Sequence, residues 1–214
     1  MLRLALMVVL AGLGGCSYET LGSVDQHYMR FSARVPANDT VYVCSAYGCR
    51  TQTPFRFTQA DVAQLRSLMV PPKKGDTPAE ERQAVARALA WMEKRAGDVV
   101  GTSADRPGDD MTGGGDPTQM DCVDVATNLT SYLLVLERNR LLKHHSVGNV
   151  IVKEDFFRRG PSGWPHYAAV LVEIPSRQRY AVDGWLLSSG QEPEIVEAEK
   201  WYIDDSQIVF KMQL

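Results

Sequence analysis

Three residues far apart along the chain have the types and settings of a nucleophile, a base and an orienting acid: Cys122, His166 and Asp183. A thiol attacks a carbonyl only as thiolate, and thiolates are favoured at helix N-termini and beside a protonated histidine. Cys122 meets the first condition, because Val125, Ala126, Leu129, Leu133 and Leu136 recur at helical spacing behind it. The spacing predicts an amphipathic helix over Asp121 to Leu136 whose first turn carries the thiol on its buried face. Two caps compete for the start. Asp121 would place Cys122 at the first helical position, whereas Asp116-Pro117-Thr118-Gln119 would start the helix a turn earlier and weaken the electrostatic argument.

His166 enters a strand, His166 to Ile174, from a loop that contains Gly160, Gly163, Trp164 and Pro165. That position fixes the ring and leaves one edge on a cleft. A Pro175-Ser176-Arg177-Gln178 turn leads to a second arm, Arg179 to Trp185, which carries Asp183. Two turn registers place residue 187 or residue 185 opposite His166, and in both Asp183 shares its face. The second register makes histidine and aspartate diagonal neighbours within hydrogen-bonding reach; the first leaves them too far apart unless the strand bulges. Taken singly, a buried cysteine, a strand histidine and an Asp-Gly pair are ordinary structural residues. Their combination of helix start, strand and next strand is what points to nucleophilic catalysis.

Other elements must hold these three in place. Val35 to Val43 and Arg50 to Phe57 are rich in Val, Tyr, Thr and Phe, and predict a small hairpin. Thr58 with Asp61 opens a helical stretch that stops at Pro71-Pro72, and Thr77-Pro78-Ala79-Glu80 opens a longer helix reaching about Gly97. Gly101 to Gly115 is a glycine- and aspartate-rich loop long enough to be functional. Val147 to Lys153 predicts a strand. His144-His145 after the cysteine helix suits the C-terminal dipole better than a metal, and Asp124 in the first turn suits the N-terminal one. No metal and no cofactor is expected.

At 214 residues with 44% hydrophobic and 23% charged residues, the chain fits one globular domain, here 35–214 with the hairpin at 35–57. A net charge of −3 supplies no basic field for nucleic acid. Arg3 and the apolar run Leu4 to Leu13 form a signal-peptide pattern over 1–15. Leu13-Gly14-Gly15-Cys16 resembles the lipobox of bacterial lipoproteins, which implies a diacylated Cys16, a flexible tether over 16–34 and stable attachment to the membrane. In such proteins Ser17 after the cysteine points to the outer membrane, with the domain on the periplasmic side of the cell envelope. That compartment is oxidising, so Cys44 and Cys49, which bracket Ser45-Ala46-Tyr47-Gly48, fit a short disulfide across the hairpin turn. Cys122 is left as a thiol.

The contexts Gln119-Met120-Asp121-Cys122-Val123-Asp124, Trp164-Pro165-His166-Tyr167-Ala168-Ala169-Val170 and Tyr180-Ala181-Val182-Asp183-Gly184-Trp185 resemble, in this order, the transglutaminase-like branch of the papain-type cysteine peptidases. The resemblance, which includes the bacterial transglutaminase-like cysteine proteinases, covers about Thr77 to Trp185. It implies an α+β fold in which the catalytic helix packs on an antiparallel β-sheet, with a Cys-His-Asp triad and no metal. It implies hydrolysis of an amide bond in a protein or peptide of the cell envelope. The oxyanion would be held by the backbone N–H of Cys122 and the side chain of Gln119, with Trp164, Tyr167, Trp185 and the Gly101–Gly115 loop around the substrate. No aromatic residue follows Cys122 directly, as one does in many transglutaminases, and the disulfide hairpin is an addition. The rival expectation is an inactive relative that uses the same cleft to bind a partner or assist envelope assembly.

Overall fold

A computed structural model describes residues 19–20, 23–70, 75–108, 112–153 and 165–203. The chain is α+β with two antiparallel sheets. Strands β1 (Glu19–Thr20), β4 (His145–Lys153), β5 (His166–Glu173), β6 (Arg179–Asp183) and β7 (Glu194–Glu197) form a sheet in the order β1-β4-β5-β6-β7. Strands β2 (Thr40–Ser45) and β3 (Thr51–Arg56) form the separate hairpin, somewhat shorter than the two predicted arms. Among the described residues no helix is long and apolar enough to cross a membrane.

Helix α4, Cys122–Arg138, is the centre of the molecule. Val125, Leu129, Leu133 and Leu136 are all but inaccessible, in a core shared with Val41 and Phe55 of the hairpin, Ala169 and Leu171 of β5 and Val182 of β6. A helix covered on nearly every side must bury polar residues too, and each needs a partner. Thr127 and Thr130 donate to the carbonyls of Val123 and Ala126, Ser131 bonds the Tyr28 hydroxyl, and Asn128 bonds both the N–H and the C=O of Cys44. Trimming Leu129 or Leu133 to alanine in so closed a setting costs about 2–5 kcal/mol.

The flanking helices start where their caps predict. Helix α2, Gln59–Leu68, is boxed by Thr58 and Asp61; α3, Pro78–Val100, is boxed by Thr77 and Glu80 with proline in its first turn. Helix α3 runs three residues past Gly97 and stops at Gly101, whose φ of 99° is the left-handed cap that glycine accepts without strain. On the opposite face of the sheet, α5 (Ala198–Ile203) packs Ala198 and Trp201 against Ile151, Ala168, Val170 and Ala181.

The N-terminal segment departs from expectation. Residues 16–34 were predicted to be a flexible tether, yet α1, Val24–Arg30, is docked on α4. His27 Nε2 lies 2.8 Å from Thr127 Oγ1 and Tyr28 Oη lies 2.8 Å from Ser131 Oγ, with both rings buried. A seven-residue helix has too few hydrogen bonds to hold itself. Its two buried aromatic rings supply the stability that propensity lacks, a tertiary effect invisible to periodicity. Ser23 caps it by accepting the N–H of Gln26.

Candidate active site

Helix α4 begins at Cys122. Asp121 is the N-cap: its carboxylate accepts the N–H of Asp124 at 2.9 Å, and Asp124 returns the bond to the N–H of Asp121 at 3.2 Å. The rival cap is spent elsewhere, since Asp116 accepts the N–H and the hydroxyl of Thr118 in a local turn. Cys122 therefore holds the first helical position, where the helix supplies partial positive charge and where a backbone N–H has no carbonyl of its own helix to bond. Its Sγ lies 3.4 Å from the carbonyl oxygen of Pro165, the residue directly before His166. The thiol is 3% exposed.

The β5–β6 hairpin adopts the shorter of the two registers. Ala169 pairs with Val182 and Val172 with Arg179, so continuation of the ladder places residue 185 opposite His166 and Asp183 on the diagonal. His166 Nε2 lies 2.6 Å from Asp183 Oδ2. Since a carboxylate can only accept, Nε2 carries the proton, and in the neutral ring Nδ1 is the basic nitrogen. Trp201 Nε1 donates to the same Oδ2 at 2.8 Å, and the N–H of Trp185 donates to Oδ1 at 3.1 Å. Burial alone would raise the pKa of Asp183, but the His166 charge and these donors outweigh it and hold the carboxyl below the usual range.

Two tryptophans flank the histidine. The Trp185 ring centroid is 4.7 Å and that of Trp201 5.5 Å from the imidazole, both tilted by less than 40°. Among the described residues, four buried side-chain polar atoms lack a hydrogen-bond partner, and two of them, His166 Nδ1 and Trp185 Nε1, lie here. An unsatisfied buried polar atom costs about 1–3 kcal/mol, so a base and a donor left unmatched side by side mark a place prepared for something else. Comparison of the chain with family models, with curated proteins and with solved structures finds no match. The chemistry must accordingly be argued from this geometry.

The cysteine helix is held from outside by a feature that sequence spacing does not reveal. Cys44 and Cys49 form the expected disulfide, with Cα atoms 4.5 Å apart. Ala46, Tyr47, Gly48 and Cys49 all have φ between 57° and 67°. Successive left-handed residues cost about 1–2 kcal/mol each where a Cβ is present. What they achieve is a row of backbone donors: Tyr47 and Cys49 give their N–H to Asp124, at 2.9 and 2.6 Å, and Gly48 gives its own to Asp121 at 3.0 Å. Asp124, expected to be only a dipole partner, is thus the joint between disulfide loop and helix. Burial and the neighbouring Asp121 charge push its carboxyl up to about 8, against the pull of those donors. The Cys44 and Cys49 sulfurs and an Asp124 oxygen are close enough to form a donor set for a metal, but the sulfurs are bonded to each other.

Several expected site residues stand elsewhere. Gln119 is not an oxyanion donor: its Nε2 gives its bonds to the Ala104 carbonyl and the Thr118 hydroxyl, while its Oε1 accepts the N–H of Arg106. It clamps the loop before α4. Tyr167 is not an open cleft wall; it is 5% exposed, edge-on to Phe31 at 5.3 Å, beneath α1. Trp185, expected around the substrate, has its ring against the histidine. Trp164 and Cys16 lie outside the described residues. His144 and His145 do not serve the α4 dipole but bind the carboxylates of Asp76 and Glu81, at 3.0 and 2.8 Å. Trp201 and Lys153 were missed. The Lys153 ammonium sits 4.2 Å from the Trp201 ring centroid, and the residue pairs with His166 across β4 and β5. No spacing rule links Trp201 to Asp183, because a short C-terminal helix on the far sheet face makes the connection.

Proposed function

We propose that the protein is a lipid-anchored thiol hydrolase of the transglutaminase-like, papain-type kind, which faces the periplasm and cleaves an amide bond with Cys122, His166 and Asp183. One observation carries the reading. The thiol at the first position of α4 touches the carbonyl preceding His166, and that histidine is pinned through Nε2, leaving its basic Nδ1 buried and unmatched. The nitrogen bound by the carboxylate orients the ring, and the other, which has no hydrogen-bond partner, would take the proton of the thiol.

In this mechanism Nδ1 takes the proton of Cys122, and the helix N-terminus and Asp183 stabilise the resulting thiolate and imidazolium. The thiolate attacks the amide carbonyl carbon, and the oxyanion gathers at the N-terminus of α4, where the Cys122 N–H points. His166 returns its proton to the leaving nitrogen, the C–N bond breaks, and a thioester on Cys122 remains. Water, deprotonated by the same nitrogen, adds to the thioester; the C–S bond breaks, the Cys122 thiolate takes back the proton from His166, and a carboxylic acid is released. No metal or cofactor takes part.

The rival reading, a module that binds a partner without turnover, is favoured by the enclosure of the site, since Cys122 and His166 are each 3% exposed. Alkylation by iodoacetamide separates the two. An activated thiol reacts at mildly acidic pH, where an ordinary one with a pKa near 8.5 is about 1% thiolate or less. His166→Ala should remove that acidic reactivity. A thiol that is inert in the native protein, or that follows an ordinary profile, supports the binding module.

A further inference from the structure

The path of the N-terminus constrains where the candidate site can work. Strand β1 lies on the edge of the sheet and pairs antiparallel with β4, Glu19 with Val152 and Thr20 with Ile151. On its other side β4 pairs Val152 with Tyr167 and Lys153 with His166. Followed backwards from Glu19, the chain therefore leaves the sheet at the end where His166 begins its strand, not at the end where the Glu173–Gln178 turn sits. Cys16 precedes Glu19 by three residues, and three residues span at most about 11 Å. From β1 to β5 is two strand spacings, about 10 Å.

Helix α1 gives independent support. It starts at Val24 and docks on the first turns of α4, with His27 on Thr127 and Phe31 against Tyr167, the neighbour of His166. It cannot act as slack between anchor and body. A lipid on Cys16 consequently brings the body to the bilayer with the candidate site on the near side and the β5–β6 turn on the far side.

We infer that the acylated protein rests on the bilayer through the end of the sheet that carries His166, so that its substrates are amide bonds at the membrane surface rather than in free solution. The inference rests on the lipoprotein and thiol-hydrolase readings. It adds the substrate class: peptide segments within about 20 Å of a lipid headgroup, the reach that three extended residues and two strand spacings allow. Juxtamembrane stretches of other anchored proteins have this character.

The test uses the full-length protein, acylated in bacteria and reconstituted in vesicles of phosphatidylethanolamine and phosphatidylglycerol that contain a headgroup nitroxide lipid. In a Cys122→Ser background, fluorophores are placed at Pro117→Cys, an exposed position five residues before Cys122, and at Ile174→Cys, which is 49% exposed at the far end of β5. His166 and Ile174 are eight residues apart in an extended strand, about 27 Å. Quenching several-fold stronger at residue 117 than at residue 174 is expected, and a flexible Gly/Ser insert of about twenty residues after Ser17 should equalise the two. Equal quenching without the insert, or stronger quenching at residue 174, overturns the orientation. Mass analysis of the N-terminal peptide reports acylation of Cys16 separately, and an unacylated peptide overturns orientation and anchor together. Neither readout needs turnover, so the hydrolase reading stands or falls by the alkylation experiment.

Discussion

Replacement of Asp183 by asparagine isolates the electrostatic part of the proposed machinery. The side chains are nearly isosteric, so packing changes little, but the bonding cannot be preserved. His166 Nε2 and Trp201 Nε1 both point at Oδ2, and the N–H of Trp185 points at Oδ1. Whichever way the asparagine amide turns, its NH2 group confronts at least one donor. A hydrogen bond to a charged partner contributes about 1.5–3 kcal/mol and a neutral one about 0.5–1.5, so the imidazolium loses on the order of 1–2 kcal/mol. At mildly acidic pH the population of thiolate paired with imidazolium should fall by about tenfold, and the alkylation rate of Cys122 with it. The assay is the pseudo-first-order rate of iodoacetamide incorporation, read by intact mass between about pH 5 and pH 9. In Asp183→Asn the rate on the acidic limb should be lower by that factor, while the rate above the ordinary thiol pKa changes little. Superimposable profiles would refute the argument that the carboxylate supports a charged histidine.

Other outcomes follow from the packing. His27 is held neutral, its pKa lowered from 6.5 to about 4 by burial and by the Arg30 charge, so the unfolded chain binds more protons between those values. Stability should therefore fall by about 3 kcal/mol as pH drops from 7 to 4, and a urea titration series should show a flatter dependence in His27→Phe. Reduction of Cys44–Cys49, or replacement of both by alanine, should lower the unfolding free energy by about 2 kcal/mol on loop entropy alone, with faster exchange of the Tyr47, Gly48 and Cys49 amides as the local sign. The Glu81 carboxylate accepts the N–H groups of Lys143, His144 and His145 and lies 2.8 Å from His145 Nδ1. Glu81→Ala strands these groups and should cost about 2–4 kcal/mol, measured by chemical denaturation, with Cys122 reactivity unchanged.

The α+β class, the helix that carries Cys122 and the shared strand face of His166 and Asp183 could be read from residues, because they depend on local periodicity, caps and strand parity; which of two turn registers joins the pair could not. Thr58, Thr77 and Asp121 each announce a helix by a bond closed within three residues. The disulfide was legible for the same reason of short range. Features that depend on tertiary contact were not. Helix α1 exists because Tyr28 and His27 find Ser131 and Thr127 about a hundred residues away. Gln119 reads as a candidate oxyanion donor beside the cysteine, and only the path of the preceding loop shows its amide occupied by Ala104, Thr118 and Arg106. Trp201 reaches Asp183 through a helix that gave no strong sequence signal. The role of Asp124 requires a left-handed turn of the disulfide loop, and three of the four residues in that turn are not glycine.

The most direct check of the central claim is the ionisation of the Cys122 sulfur. Ultraviolet thiolate absorbance, titrated against a Cys122→Ser reference in unaltered and His166→Ala protein, reads it without any substrate. A thiolate midpoint well below the ordinary value of about 8.5 is expected, moved back toward that value by His166→Ala. A midpoint at or above the ordinary value and indifferent to His166 would contradict it.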